Sequence, residues 1–126
     1  MSLVAADTSS LAAFLAGEAG PDLELIDRAM SDEELLLPPP VLTELLSKPD
    51  RSQIETHLLR LPLVELREGF WARAGEARRA LLSNGLKAAM SDALIAQSCI
   101  DADVPLIARD RDYRHFERWC GLKLAT

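Results

Sequence analysis

The chain reads as short apolar runs alternating with longer segments whose apolar residues recur at helical spacing. Leu3, Val4, Ala5 and Ala6 form one such run, which stops at Asp7. Its length and flanks predict a buried parallel strand. Ser9 or Ser10 is then placed to cap a helix through Leu11, Phe14 and Leu15 that stops near Gly17. Pro21 or Asp22 opens a second helix, with Leu23, Ile26 and Met30 in register. Leu35, Leu36 and Leu37 predict a second strand, cut off by Pro38, Pro39 and Pro40, which suit a helix entry but not its interior. A short helix over 41–46 follows and ends near Lys48 and Pro49.

Asp50, Arg51 or Ser52 starts a further helix carrying Ile54, Leu58 and Leu59. Residues 63–66, after Pro62, predict a third strand. An amphipathic helix runs from Phe70 to Leu82, with Trp71, Ala74, Ala77 and Leu81 on its apolar face, and Asn84-Gly85 closes it. Ser91 is expected to cap a helix from Asp92 to about Asp101. Residues 104–108 predict a fourth strand, 109–112 a turn, 113–119 a short helix and 122–124 a last edge strand. Strands alternating with helices imply a mostly parallel, four- to five-stranded sheet covered on both faces.

A length of 126 residues fits one domain over residues 1–126. No apolar run approaches the roughly 18 residues that a membrane span needs. The N-terminus has no basic segment and reaches an acid by Asp7, which argues against a secretory signal. Cys99 and Cys120 read as free thiols in a reducing cytosol, and neither lies at zinc-ligand spacing from His57 or His115. The net charge of −6 argues against a general nucleic-acid coat protein. It does not exclude a nuclease, because acids gathered in one cleft attract divalent cations that present positive charge to a phosphate.

In open α/β sheets ligands bind beyond the carboxyl ends of the strands. Asp7 ends the first predicted strand, Asp110 follows the fourth, Asp92 opens a helix, and Glu44 lies in the helix after the second strand. Each has an ordinary explanation alone: Asp7 as a helix cap, Asp92 as an acid at a helix N-terminus, Glu44 and Asp110 as solvated charges. Together they make a candidate Mg²⁺ or Mn²⁺ site. Hard cations prefer carboxylate oxygens, and a bound metal lowers the pKa of a water that can attack phosphorus.

These segments resemble the PIN-domain family, and within it the VapC-type toxin ribonucleases of toxin–antitoxin pairs. The resemblance is carried by Val4-Ala5-Ala6-Asp7-Thr8-Ser9-Ser10-Leu11, Pro40-Val41-Leu42-Thr43-Glu44-Leu45, Ser91-Asp92-Ala93-Leu94-Ile95-Ala96 and Leu106-Ile107-Ala108-Arg109-Asp110-Arg111-Asp112-Tyr113, in that order. Gly75 to Leu81 also fits. The resemblance implies a three-layer α/β/α fold and Mg²⁺- or Mn²⁺-dependent endonucleolytic cleavage of RNA, tRNA or another structured RNA. It also implies a cytoplasmic homodimer inhibited by a cognate antitoxin that inserts a peptide near the acids. Ser9 would contact the metal's water or its ligands. Two features depart from the pattern. Ala108 stands where the family usually has Thr or Ser, and both Asp110 and Asp112 lie in the acidic turn, with Asp110 preferred as nearer the strand end.

Arg109, Arg111 and Arg114 are candidate phosphate contacts, although a solvated surface is the ordinary reading. Trp71 and Trp119 are expected to pack, and His57 and His115 are assigned no role. A PIN-like module that binds RNA or protein without cutting is the alternative function. A phospho-acceptor receiver domain is disfavoured because the third predicted strand ends in Leu66-Arg67 without an aspartate. A phosphatase of the Asp-x-Asp type is disfavoured because Ser9 stands where its second aspartate would be.

Overall fold

A computed structural model of the chain describes residues 2–50, 56 and 59–126. Three parallel strands form the centre of the sheet: β1 (Val4–Ala6), β2 (Leu35–Leu36) and β3 (Leu106–Ile107), in the order β2-β1-β3. Val4 pairs with Leu35, and Ala5 with both Leu36 and Leu106. Two single bridges widen this sheet at its edges, both parallel: Leu37 with Leu63 beside β2, and Leu106 with Leu124 beside β3. The expected third and last strands are therefore present as one-residue pairings. Pro62 O accepts from Leu37 N and Lys123 O from Leu106 N, each at 2.9 Å.

Six described helices surround the sheet in a three-layer α/β/α arrangement: α1 (Thr8–Leu15), α2 (Pro21–Ser31), α3 (Pro39–Leu46), α4 (Phe70–Ser83), α5 (Met90–Ala102) and α6 (Tyr113–Cys120). The central strand has no polar position, and Ala5 and Ala6 are fully buried. That is what a parallel strand covered on both faces requires. Leu11, Ile26, Leu45, Leu81, Ile95, Leu106, Ile107, Tyr113 and Phe116 fill the core around it.

Helix α5 packs against α3, α4 and α6, and it buries Ala93, Ile95, Ala96, Gln97, Ser98 and Cys99. A helix enclosed on most sides carries little amphipathic signal, so its limits are hard to read from periodicity. Arg73 of α4 grips it through a two-pronged contact with Asp101, Nε to Oδ1 at 3.0 Å and Nη2 to Oδ2 at 2.7 Å.

Several local expectations are corrected. Asp7, not Ser9 or Ser10, is the N-cap of α1: its carboxylate accepts from Ser10 N at 2.9 Å, and both serines lie inside the helix. Helix α5 begins before Ser91, with Ala89 as N-cap and no side-chain cap. Trp71 and Trp119 do not pack into the core, being 69% and 49% exposed, because Phe70 and Phe116 take the inward positions. The helix expected to carry Ile54 and Leu58, and His57 with it, lies outside the described residues, and Leu59 is exposed.

Candidate metal centre

Asp7, Glu44, Asp92 and Asp110 line one open cleft of about 300 Å³ at the carboxyl rim of the sheet, with Thr8, Ser9, Ala12, Lys48 and Tyr113. Four separate elements deliver the four acids. Asp7 follows directly from β1, which is tied to β3 at this end by Asp7 N donating to Ile107 O at 3.0 Å. Glu44 sits in the second turn of α3, Asp92 in the first turn of α5, and Asp110 in the turn between β3 and α6.

Asp7 is 2% exposed. Its Oδ1 accepts from Ser10 N and its Oδ2 from Ser9 Oγ at 3.0 Å. Burial raises its pKa above the usual carboxylate range, the Ser10 and Ser9 hydrogen bonds oppose the rise, and the charge of Asp110 adds to it. Capping and site membership are thus compatible for this residue, because a cap uses only part of a carboxylate's accepting capacity.

Asp92 is held by Tyr113, whose phenol donates to Oδ1 at 3.2 Å. Burial pushes the Asp92 pKa up to about 6, and the charges of Asp110, Glu44 and Asp112 push in the same direction while the Tyr113 hydrogen bond opposes them. The Tyr113 phenol is itself raised, first by burial and then by the charges of Asp92 and Asp7. An acid that resists ionisation chiefly because it is buried, and further because other carboxylates stand beside it, is characteristic of a site short of positive charge.

Both acids of the turn converge on Asp92. Carboxylate oxygens of Asp92, Asp110 and Asp112 lie within 4.8 Å of one another. The turn orients them, since Asp110 Oδ1 accepts from Asp112 N at 2.9 Å. Asp112 therefore joins Asp110 rather than replacing it. An all-carboxylate donor set at this spacing suits a hard, six-coordinate cation that retains several waters. Sulfur or imidazole donors would be needed for a softer metal, and among the described residues lining the cleft there are none.

Three features here are not assigned from the sequence. Thr8 Oγ1 donates to Glu44 Oε1 at 2.6 Å and fixes that carboxylate across the cleft. Tyr113 anchors Asp92. Lys48 and Lys87 bring cations to the rim, Lys87 Nζ standing 3.6 Å from Asp112 Oδ2. Only Thr8 could be suspected from sequence, from its place between Asp7 and Ser9. The others depend on contacts between distant segments. Ala108 supplies no hydroxyl, as its type dictates, and its carbonyl accepts from Thr126 Oγ1 at 3.2 Å. Arg109 turns away from the cleft. Its guanidinium pairs with Asp22 at 2.7 Å and Glu18 at 3.3 Å, tying the β3 end to the start of α2. Arg109 holds the Asp22 carboxyl below the usual range.

The PIN-domain sequence profile matches residues 4–118. The chain belongs to the PIN-domain family. A search of curated proteins gives no sequence match. Among solved structures, this PIN domain is similar to a chain of VapBC2 from Rickettsia felis bound to a DNA fragment from its promoter, with a TM-score of 0.76, 19% identity, and coverage of 97% of this chain and 96% of that one. It is equally similar to a chain of the DNA-bound VapBC from Salmonella typhimurium, with a TM-score of 0.76, 19% identity, and coverage of 98% and 97%. At that identity the likeness establishes a shared fold over nearly the full length of both chains. None of the described helices is long and apolar enough to cross a membrane.

Proposed function

We propose that this PIN domain is a Mg²⁺- or Mn²⁺-dependent endoribonuclease and the VapC-type toxin of a toxin–antitoxin pair, acting in the cytoplasm as a homodimer restrained by a cognate antitoxin. The observation that carries the reading is the convergence of Asp7, Glu44, Asp92 and Asp110, from four elements, on one cleft at the carboxyl rim. Family membership and the likeness to chains of two VapBC complexes support it.

In this reading Asp92 and Asp110, with Asp112 beside them, are the principal metal ligands, and Asp7 and Glu44 complete the acid shell. A bound cation would acidify a water for attack on phosphorus and offset charge on the departing oxygen. The chain's own residues prepare the site. Thr8 and Tyr113 hold Glu44 and Asp92 against rotation, so that little ordering remains to be done when a cation arrives. Ser9 fixes the outer oxygen of Asp7 and offers a hydroxyl to the cleft. The crowded negative charge disfavours an RNA phosphate until a cation neutralises it, which makes substrate binding at the cleft depend on metal. Among the described residues the cleft is lined by no histidine or cysteine, and the chemistry asks for none.

The test is cleavage of RNA by the purified protein with Mn²⁺ or Mg²⁺. Activity is expected to vanish in EDTA and in both Asp7→Asn and Asp92→Asn. Full activity in both variants would remove the assignment of the site. Absence of cleavage together with absence of Mn²⁺ binding by calorimetry would favour a PIN domain that binds without cutting.

A further inference from the structure

Charge is unevenly divided along this chain. Residues 1–50 hold ten acids against Arg28 and Lys48, whereas residues 51–126 hold twelve Lys and Arg against ten acids. Several of the described cations in the second part have an internal engagement. Arg73 is bound to Asp101, Arg109 to Asp22 and Glu18, and Lys123 to Asp103, while Arg78 Nε donates to Ala88 O at 2.8 Å.

Arg111, Arg114 and Arg118 are exposed and make no ion pair among the described residues, as is also true of Arg60, Arg67 and Arg79. What sets these three apart is that they follow one another from the acidic turn along α6. Arg111 lies in the turn between Asp110 and Asp112, and its carbonyl accepts from Arg114 N at 3.0 Å, so the turn runs straight into α6. Arg114 and Arg118, four residues apart, share one face of α6, and the turn bond carries Arg111 directly ahead of them, so the three follow one another away from the acids. The opposite side of α6 is anchored by Tyr113 and Phe116, so the stripe has a fixed direction: it starts at the acids and leads away from them. Glu117, also exposed, is the one acid within that stretch of α6. At the far end the Arg118 guanidinium lies over the exposed Trp119 ring, 5.8 Å from its centroid. Lys87, 79% exposed, flanks the near end beside Asp112.

We propose that the RNA strand cut in the acid cleft runs along this face of α6, with successive phosphates held by Arg111, Arg114 and Arg118 and a base stacked on Trp119. Guanidinium groups suit phosphate oxygens through paired N–H donors. An exposed indole offers a stacking surface indifferent to base identity. The combination is that of a single-strand track, with the backbone gripped by charge and a base by an aromatic ring. The inference rests on the nuclease reading for its occupant but uses residues outside the acid site.

The experiment measures binding of a labelled single-stranded RNA by fluorescence anisotropy in EDTA, over a range of salt. Replacing all three arginines by alanine should weaken binding and lower the slope of log affinity against log salt by about 2, at roughly 0.7 for each phosphate that is no longer neutralised. Trp119→Ala should weaken binding roughly tenfold with the slope unchanged. Lys123→Ala, which removes a distant surface charge, should alter neither. An unchanged slope in the triple variant overturns the proposal. So does preferential binding of a poly-glutamate peptide that is abolished in the triple variant, which would assign the stripe to an acidic protein. Circular dichroism and Mn²⁺ calorimetry on each variant keep the two readings apart. A wild-type chain that binds Mn²⁺ and cleaves RNA while the triple variant binds RNA normally refutes the track alone. Arginine-dependent RNA binding with no cleavage and no Mn²⁺ binding refutes the nuclease alone.

Discussion

Replacing Asp92 by asparagine should stabilise the metal-free protein while removing its response to metal. The Asp92 pKa rises from 3.8 to about 6, chiefly through burial and then through Asp110, Glu44 and Asp112. A rise of roughly 2 units corresponds to at most about 3 kcal/mol of cost for holding the carboxylate charged in the fold. The side chain is only partly buried, and solvent screening reduces this to about 1–2 kcal/mol. The sign follows from linkage. The folded protein holds the proton more tightly than the unfolded chain, so the contribution is fully present below the unfolded pKa and is lost as pH rises through the folded value. Asparagine is neutral throughout, and its carbonyl oxygen can still accept from the Tyr113 phenol.

In EDTA at neutral pH the variant should therefore melt above the wild type, by roughly 3–8 °C for a chain of this size. The gap should narrow as pH falls below the folded value of about 6 and close only below the unfolded value of 3.8, where Asp92 is protonated in both states. Mn²⁺ should reverse the order: a ligand at a hundredfold its Kd adds about 2.7 kcal/mol to the wild type. The variant should gain little. Thermal scans of both proteins at two pH values, with EDTA and with Mn²⁺, check each part. A variant less stable than wild type in EDTA, or a gap that persists unchanged at low pH, would refute the argument that burial and neighbouring charge oppose ionisation of Asp92.

Tyr113→Phe removes the phenol that donates to Asp92. Without that charge-assisted hydrogen bond, Mn²⁺ affinity should fall roughly fivefold, seen by calorimetry, and the pH at which binding sets in should move upward. Arg73→Ala leaves Asp101 with Gln97 as its remaining side-chain donor among the described residues. Because Arg73 lowers the Asp101 pKa, that pair stabilises the fold above the unfolded carboxylate pKa and ceases to do so as pH falls through the lowered folded value. The variant should accordingly melt below wild type at neutral pH and close to it in strong acid. Phe116→Ala empties a fully buried site beneath α6 and should cost about 3–5 kcal/mol in denaturant unfolding.

Much of the architecture is legible because burial writes itself into the sequence. The apolar run before Asp7 and the apolar stretch before Arg109 are what strands covered on both faces require, and they appear as β1 and β3. The prolines before Val41 mark the start of α3, which begins at Pro39. The misreadings are local. Ser9, Ser10 and Ser91 are all chemically able to cap, and only backbone geometry decides that Asp7 caps α1 and that α5 starts without a side-chain cap. Periodicity puts Trp71, Ala74, Ala77 and Leu81 on the apolar face of α4; Ala74 and Leu81 are indeed buried, but Phe70 takes the inward place expected of Trp71. At the cleft, the four acids can be foreseen from their place at strand ends and helix starts. The contacts that hold them cannot, because Thr8 with Glu44 is a pair 36 residues apart and Tyr113 with Asp92 a pair 21 apart. Sequence leaves Asp112 as either an alternative to Asp110 or an outer partner beside it, and the turn brings carboxylate oxygens of both near Asp92.

The proposed metal centre is tested most directly by locating Mn²⁺ in crystals of the protein by anomalous scattering. The expected result is a peak in the cleft with carboxylate oxygens of Asp92 and of Asp110 or Asp112 at roughly 2.0–2.3 Å, Asp7 and Glu44 nearby, and no peak for Asp92→Asn under the same soak. A peak elsewhere on the surface with the cleft empty, or a cleft peak that survives in Asp92→Asn, would contradict the assignment.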